Sequence, residues 1–517
     1  MASLFAPDKL WFGIALLTLT GACIFLLTFG PGPGHNNLHF IPRLRRRRTC
    51  TSETPPRSIP PAEKKPPVPT SPSPSPSTKS KSPIHAATVV PPQRRHILAA
   101  LPRTAPSYKE VHEDKVKARL LLLRLLLPMT ADYSAVSTEL YTCTGFSTTD
   151  LSALGDFPDY ATLSGVPLPR AYAEFDIERA LARPYRPFRW AYHQTMSFTK
   201  LEPDWWLELE NTYKLRIAQR KALYAKHGRD VLDYLPGSEL ACKELMEMVV
   251  QFLCARYPHY FSLRDNRILE NKILATERDV RTMHPLEVIL ENIPEDFAIM
   301  LRDDKTGNYF FRAGVICSTL GWNLQSKIGL QLHEIHDPVP DYKEKMQFSM
   351  DRFFTKMPAD KPIQRGSWGI EVGQPLYVPP GHPHEKLRLS QDPTRKLEDC
   401  NLRVDWQTLR RLPLSGAVVF NFKALFTPLT EFRDEPGVPA LLAKILHEGK
   451  KNLMEYKGTW HLEHVVLPKF EEWAREQEEK GLVPKNWEVA TLDESPWFKV
   501  GKRSGVVNRD FNGLSPG

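Results

Sequence analysis

From Leu10 to Phe29 the chain runs for twenty residues without a charged side chain, and this stretch limits what the chain can become more than any other. At about 1.5 Å of rise per residue, a helix of that length spans roughly 30 Å, the hydrocarbon thickness of a bilayer. The run exceeds the ~7 to 15 apolar residues of a secretory signal, and Pro31-Gly32-Pro33-Gly34 stands where a small-residue cleavage site would be. It therefore reads as an uncleaved transmembrane helix. Only Lys9, offset by Asp8, precedes it, whereas Arg43, Arg45, Arg46, Arg47 and Arg48 follow closely. Positive charge collects on the cytoplasmic side, so a single-pass protein with its body in the cytosol is expected, the endoplasmic reticulum being a membrane that suits it. The same arginines favour contact with anionic headgroups.

The net charge of +9 does not extend to the body. Residues 1–105 carry 14 Lys and Arg against 3 Asp and Glu, which leaves 55 against 57 in the rest. A near-neutral body gives no electrostatic basis for binding nucleic acid. The cysteines, Cys23, Cys50, Cys143, Cys242, Cys254, Cys317 and Cys400, form no C-x-x-C pair. An odd, scattered set fits reduced thiols better than a disulfide framework.

The chain divides by composition into a flank (1–9), the apolar helix (10–29), a basic then Pro/Ser-rich linker (30–106), a helical lead-in (107–170), a principal domain (171–460) and a C-terminal extension (461–517). The linker, with Ser71-Pro72-Ser73-Pro74-Ser75-Pro76, holds too little apolar surface to offset the entropy of ordering and is expected to be a disordered spacer. In the lead-in, Leu120 to Leu127 reads as a short apolar helix stopped by Pro128, too short to span a bilayer.

In the principal domain, Leu240, Leu245, Met248, Val249, Phe252 and Leu253 recur at helical spacing after the Pro236-Gly237-Ser238 turn and end at Tyr257-Pro258. Phe297 to Leu301 and Tyr309 to Phe311 flank Asp304-Lys305-Thr306-Gly307-Asn308, a hairpin pattern. Helices are expected over Leu324–His336, where Leu324, Ile328, Leu332 and Ile335 share a side, and over Asp341–Phe354. Trp368–Val372 and Ala417–Phe422 read as strands, and Phe470–Lys480 as a charged surface helix. The mixture indicates an α+β fold with antiparallel strands.

Phosphate-binding, nucleophile-elbow and H-E-x-x-H motifs are missing, as is the F-x-x-G-x-x-x-C-x-G loop of thiolate-ligated haem monooxygenases. The segment from Gly321 through Trp322, Lys327-Ile328-Gly329 and Ile335-His336-Asp337-Pro338-Val339-Pro340 instead resembles the signature of the haem-dependent oxidative N-demethylase-like family. Five further matches keep the same order: Arg183-Pro184-Tyr185, Leu235-Pro236-Gly237-Ser238, Pro294-Glu295-Asp296-Phe297, Gln364-Arg365-Gly366-Ser367-Trp368 and Gln407-Thr408-Leu409-Arg410-Arg411-Leu412-Pro413. The resemblance covers about residues 183–456 and leaves the apolar helix and linker outside it.

The resemblance implies a PAS-like antiparallel sheet with surrounding helices, holding haem b, and oxidation of a small methylated amine with dioxygen. No segment resembles a flavin or iron–sulfur module, so electrons would come from a separate, NAD(P)H-linked reductase. The resemblance makes His336 the iron's axial ligand, with His333 competing one turn earlier. Trp322, Ile328, Leu332 and Phe353 are expected to line the pocket. Arg365, with Lys327 or Arg403, is expected to pair the propionates, because a guanidinium forks onto a carboxylate. Glu295 and Asp296 are candidates to hold a protonated amine and take its proton, although capping explains them equally. Two readings compete: a haem-PAS sensor without turnover, and a non-haem metal oxygenase built on His333 with His336 or His461 with His464.

Overall fold

The computed structural model describes residues 142–497, apart from Cys143, Gln194, Asp304 and Lys305. The expected membrane helix, the linker and the Leu120–Leu127 segment lie outside the described residues. Among the described residues, no helix is long and apolar enough to cross a membrane.

The centre is an antiparallel sheet of seven strands: β1 (Thr199–Lys200), β2 (Leu232–Tyr234), β3 (Asp296–Arg302), β4 (Tyr309–Val315), β5 (Ile363–Val372), β6 (Cys400–Arg411) and β7 (Val418–Pro428). Their order in space is β1-β5-β6-β7-β3-β4-β2. Phe261–Arg264, Ile268–Asn271 and Thr276–Asp279 form a separate three-stranded antiparallel meander. The β3–β4 hairpin forms where expected. Gly307, at φ +76°, closes its turn by donating to the Asp303 carbonyl at 2.8 Å.

Because strand side chains alternate, each face of the sheet acquires its own core. On the first face Val419 of β7, Val404 and Trp406 of β6 and Phe297 and Ile299 of β3 join the larger core. It is covered by α1 (Tyr213–His227), α2 (Glu239–Arg256) and α3 (Pro285–Asn292). The second face presents Val418, Phe420, Phe422, Leu409, Ala298 and Met300. It is covered by the segment that carries the family signature, with α4 (Leu332–Ile335), α5 (Tyr342–Lys345) and α6 (Gln347–Lys356). After β7 come α7 (Val438–Glu448), α8 (Lys451–Lys457) and α9 (Trp460–Glu479).

Three helix expectations are corrected. The helix over Leu324–His336 survives only as α4. Gly329, at φ +88°, donates to the Phe311 carbonyl at 2.7 Å, and the Leu330 carbonyl accepts from Phe311 at 3.0 Å. These groups therefore extend the sheet instead of closing helical turns. The Asp341–Phe354 helix is two helices broken at Met346. The charged helix at Phe470–Lys480 is the second half of α9, whose Leu462, Val466, Phe470 and Trp473 are buried.

Two of the matched motifs explain each other. A Cβ on Gly366 would run into the ring of Tyr185, which is buried and packed edge-on against Trp497 at 4.5 Å. Glycine lets the Arg183-Pro184-Tyr185 motif close over β5. Arg183 itself pairs with Glu208 at 2.7 Å between the rings of Trp205 and Trp497, each 3.8 Å away. Arg411, at the end of β6, reaches the Met357 carbonyl (2.6 Å), the Tyr309 hydroxyl (2.9 Å), the Gly416 carbonyl (2.7 Å) and the Phe354 carbonyl. It thereby ties the end of α6 to the sheet.

Candidate functional site

His336 caps the C-terminal end of α4. Gln331 begins that helix, its N–H donating to the Glu334 carboxylate at 2.6 Å, and Leu332 anchors it in the second core. The imidazole Nδ1 lies 2.7 Å from the Leu332 carbonyl, which can only accept, so Nδ1 carries the proton. The Nε2 lone pair is left available. The ring stacks on Tyr342, centroids 4.9 Å apart and planes 8° apart. Burial pushes its pKa down to about 4, with the positive charges of Arg365 and Lys327 adding to the shift. A neutral imidazole with Nδ1–H held by a carbonyl is the form that ligates a metal, and that hydrogen bond fixes its orientation.

Lys327 donates to the Ile335 carbonyl at 2.9 Å and lies 5.7 Å from the Trp322 ring. Burial lowers its pKa. The Trp322 ring sits 6.2 Å from Phe422, and Phe198 packs on Phe353 at 4.6 Å, so these aromatics and Ile328 form an apolar lining on the second face.

Arg365 of β5 stands opposite Gln407 of β6, in register with Phe422 of β7, and so faces the same side. Its Nε is buried without a hydrogen-bond partner, and no ion pair reaches the side chain among the described residues. Burial holds its pKa below the usual arginine value. Arg403 differs. It is bound to Asp405 at 3.0 Å and donates to the Pro375 carbonyl at 2.7 Å, so its guanidinium is already occupied.

The two acids are not brought to His336. Glu295 points to the first face, where its Oε1 accepts from the Glu208 N–H at 3.0 Å and the Lys423 ammonium lowers its pKa. Asp296, opposite Phe422, is fully buried, paired with Arg220 and accepting from the Ser318 N–H at 2.6 Å. Both of its oxygens are taken. The His333 imidazole has no hydrogen-bond partner among the described residues and lies near Asp351. His461 Nδ1 bonds the Gly458 carbonyl at 2.8 Å and His464 Nε2 the Asp392 carbonyl at 2.9 Å. Among the described residues, no group of three or more His, Cys, Asp or Glu could hold a metal ion.

Burial outweighs those contacts and lifts the Glu295 carboxyl from its ordinary 4.5 to about 6. A group whose pKa is raised by folding contributes stability below its unfolded pKa and loses it as pH rises through the folded one. Glu295→Gln keeps an oxygen for the Glu208 N–H but cannot ionise. Its stability in urea is expected to gain about 2 kcal/mol on the native chain between pH 4.5 and 7. Parallel profiles would mean that Glu295 is not perturbed.

A family model described as haem-dependent oxidative N-demethylase, alpha subunit-like, matches residues 197–467. The match spans more than half of the 517 residues. The chain belongs to that family. The N-demethylase-like match contains β1 to β7 and every expected site residue. It also runs into α9.

The residues present fit the haem in the family's name. An imidazole with a free Nε2, an apolar aromatic lining and a guanidinium with a buried, unpartnered nitrogen are the donor, the walls and the carboxylate partner that a haem requires. Sequence reasoning missed Lys457 and Tyr192, which pack together against Trp368 of the strand that carries Arg365. Neither falls within a matched motif, and only the packing against Trp368 brings them there.

Proposed function

We propose that this chain is a membrane-anchored haem oxidoreductase of the monooxygenase type that removes a methyl group from a small amine. Haem b on a PAS-like sheet, dioxygen and electrons from a separate NAD(P)H-linked reductase complete the reading. It rests above all on His336, whose Nδ1 is held by the Leu332 carbonyl while Nε2 stays free, within the electrostatic reach of an unpaired Arg365. When bound, the haem supplies dioxygen activation: one oxygen atom leaves with the methyl carbon as formaldehyde and the other, with two electrons and two protons, as water.

The chain's own residues hold and shield. The Leu332 carbonyl and the Tyr342 ring fix the imidazole plane. Trp322, Phe422 and Phe353 keep water from the second face. Arg365 and Lys327 supply the positive charge that propionates require, whereas Arg403 is occupied by Asp405. The apolar helix and linker would confine the body to the cytosolic membrane surface, where a membrane-bound reductase and lipophilic amines are concentrated. Protection of residues 107–517 from protease in sealed vesicles would overturn that orientation.

The sensor reading is favoured by one observation: Glu295 and Asp296 are both occupied elsewhere, which leaves an amine's proton without an identified acceptor. Full-length protein in detergent, supplied with a reductase, NADPH and a panel of N-methyl amines, is expected to release formaldehyde only when oxygen is present. A coloured protein that yields none across the panel would decide for the sensor.

A further inference from the structure

Between β5 and β6 the chain leaves the sheet and forms a 3₁₀ turn over Pro383–Leu389 at the surface. The turn is fastened at both ends and in the middle. Before it, Tyr377–Val378 pairs in parallel with Thr319–Leu320, and a Cβ on Gly321 would stand 3.5 Å from the Glu385 carboxylate. Within it, His384, at 3.1 Å, and Arg388 both hold Glu371 of β5. After it, the Gln391 amide donates to the Trp460 carbonyl at 2.8 Å, and His464 Nε2 reaches the Asp392 carbonyl at 2.9 Å.

A turn held this firmly still leaves its apolar side chains in water. Leu389 is 77% exposed and Leu387 37%, and at the α8–α9 junction Tyr456 is 51% and Trp460 52% exposed. These four share one patch. Arg388, between the two leucines, lies 3.9 Å from where a Cβ on Gly458 would stand, and Gly458 lies between Tyr456 and Trp460. Large apolar side chains gathered in the open mark a contact surface. Lys386 and Lys396 beside them are exposed and carry no ion pair among the described residues. Of the acids on this segment, Glu385 accepts from the Gly381 N–H at 2.8 Å, Asp392 pairs with Arg395 at 3.2 Å and Asp399 accepts from the Lys396 N–H at 3.2 Å, which leaves only Glu398 without a partner.

Leucines at a tip, a tyrosine and a tryptophan at their base and lysines at the rim are the side chains that settle at a membrane–water interface. We infer that the Pro383–Leu389 turn, with Tyr456 and Trp460, rests in the headgroup layer of the bilayer to which the chain is tethered. Leu387 and Leu389 enter the acyl boundary, and Lys386 and Lys396 meet anionic headgroups. The inference rests on the membrane-anchored reading. Because the turn is held against Gly321, next to Trp322, docking turns that end of the second face towards the lipid, the phase in which lipophilic amines collect.

The test places the full-length chain in vesicles of phosphatidylserine and phosphatidylcholine with brominated acyl chains, which quench a tryptophan that touches them. Trp460→Tyr is expected to remove part of the lipid-quenched emission. With Leu387→Glu and Leu389→Glu in place, the chain is expected still to float with the vesicles, and Trp460→Tyr then to leave the quenching unchanged. Lys386→Gln is expected to lower the ratio of docked to free body about 5-fold. Equal lipid quenching in the native chain and in Trp460→Tyr, with flotation intact, would overturn the docking face and leave the anchor standing. If acrylamide were also kept from Trp460 in that case, the face would belong to a protein contact. A chain that does not float with the vesicles would overturn the anchor reading and the docking with it.

Discussion

Full-length protein carrying His336→Ala is expected to lose or shift the Soret band that the native chain shows with haem. Its haem affinity is expected to fall by at least about 10- to 100-fold, the range seen when even a partner of a ligating histidine is removed. The geometry makes this a clean replacement. The ring is half-buried at the end of a four-residue helix, so its loss removes a stacking contact with Tyr342 and a hydrogen bond to Leu332 but little of the second core. Free imidazole should enter the space and restore the native spectrum. An unchanged spectrum in the variant would show that another side chain ligates the iron, and His333, one turn earlier, would be the next to replace.

Arg411→Met is expected to cost about 3–5 kcal/mol, a large share of the stability of any domain. Arg411 is fully buried and spreads its nitrogens over the carbonyls of Met357, Phe354 and Gly416 and the Tyr309 hydroxyl. Methionine fills much of the volume but strands three carbonyls away from water, each a buried acceptor without a donor. Two of those carbonyls terminate α6, which carries Phe353 and Phe354, so the loss falls on the cover of the second face. The urea midpoint reads the stability, and haem affinity should fall with it. A loss below about 1 kcal/mol would mean that water replaces the guanidinium. Arg411→Lys, with one nitrogen where the arginine has three, should recover only part of the stability.

Much of the sheet was legible because strands impose a period of two and the turn of the β3–β4 hairpin is rich in Gly, Asn and Asp. The helix over Leu324–His336 was misread for a physical reason. Its apolar spacing is helical, yet Phe311 competes for the backbone of Gly329 and Leu330, and the adjoining strand wins. Glu295 and Asp296 were candidates by residue type, and only the packing revealed that the Glu208 N–H occupies the first and Arg220 of α1 with the Ser318 N–H the second. The occupation of Arg403 needed the fold: no strand was expected over Cys400–Arg411, and only within β6 do Arg403 and Asp405, two positions apart, share a face.

The sequence by itself determined the family, the α+β antiparallel class and His336 as the residue to examine, because these depend on local residue order and short-range period. The tertiary structure decided which of several equivalent cations lacks a partner. Arg365, Arg403 and Lys327 differ little as sites for a carboxylate, but charge balance is a property of neighbours brought together from distant strands and helices, and among the described residues it leaves Arg365 without an ion pair.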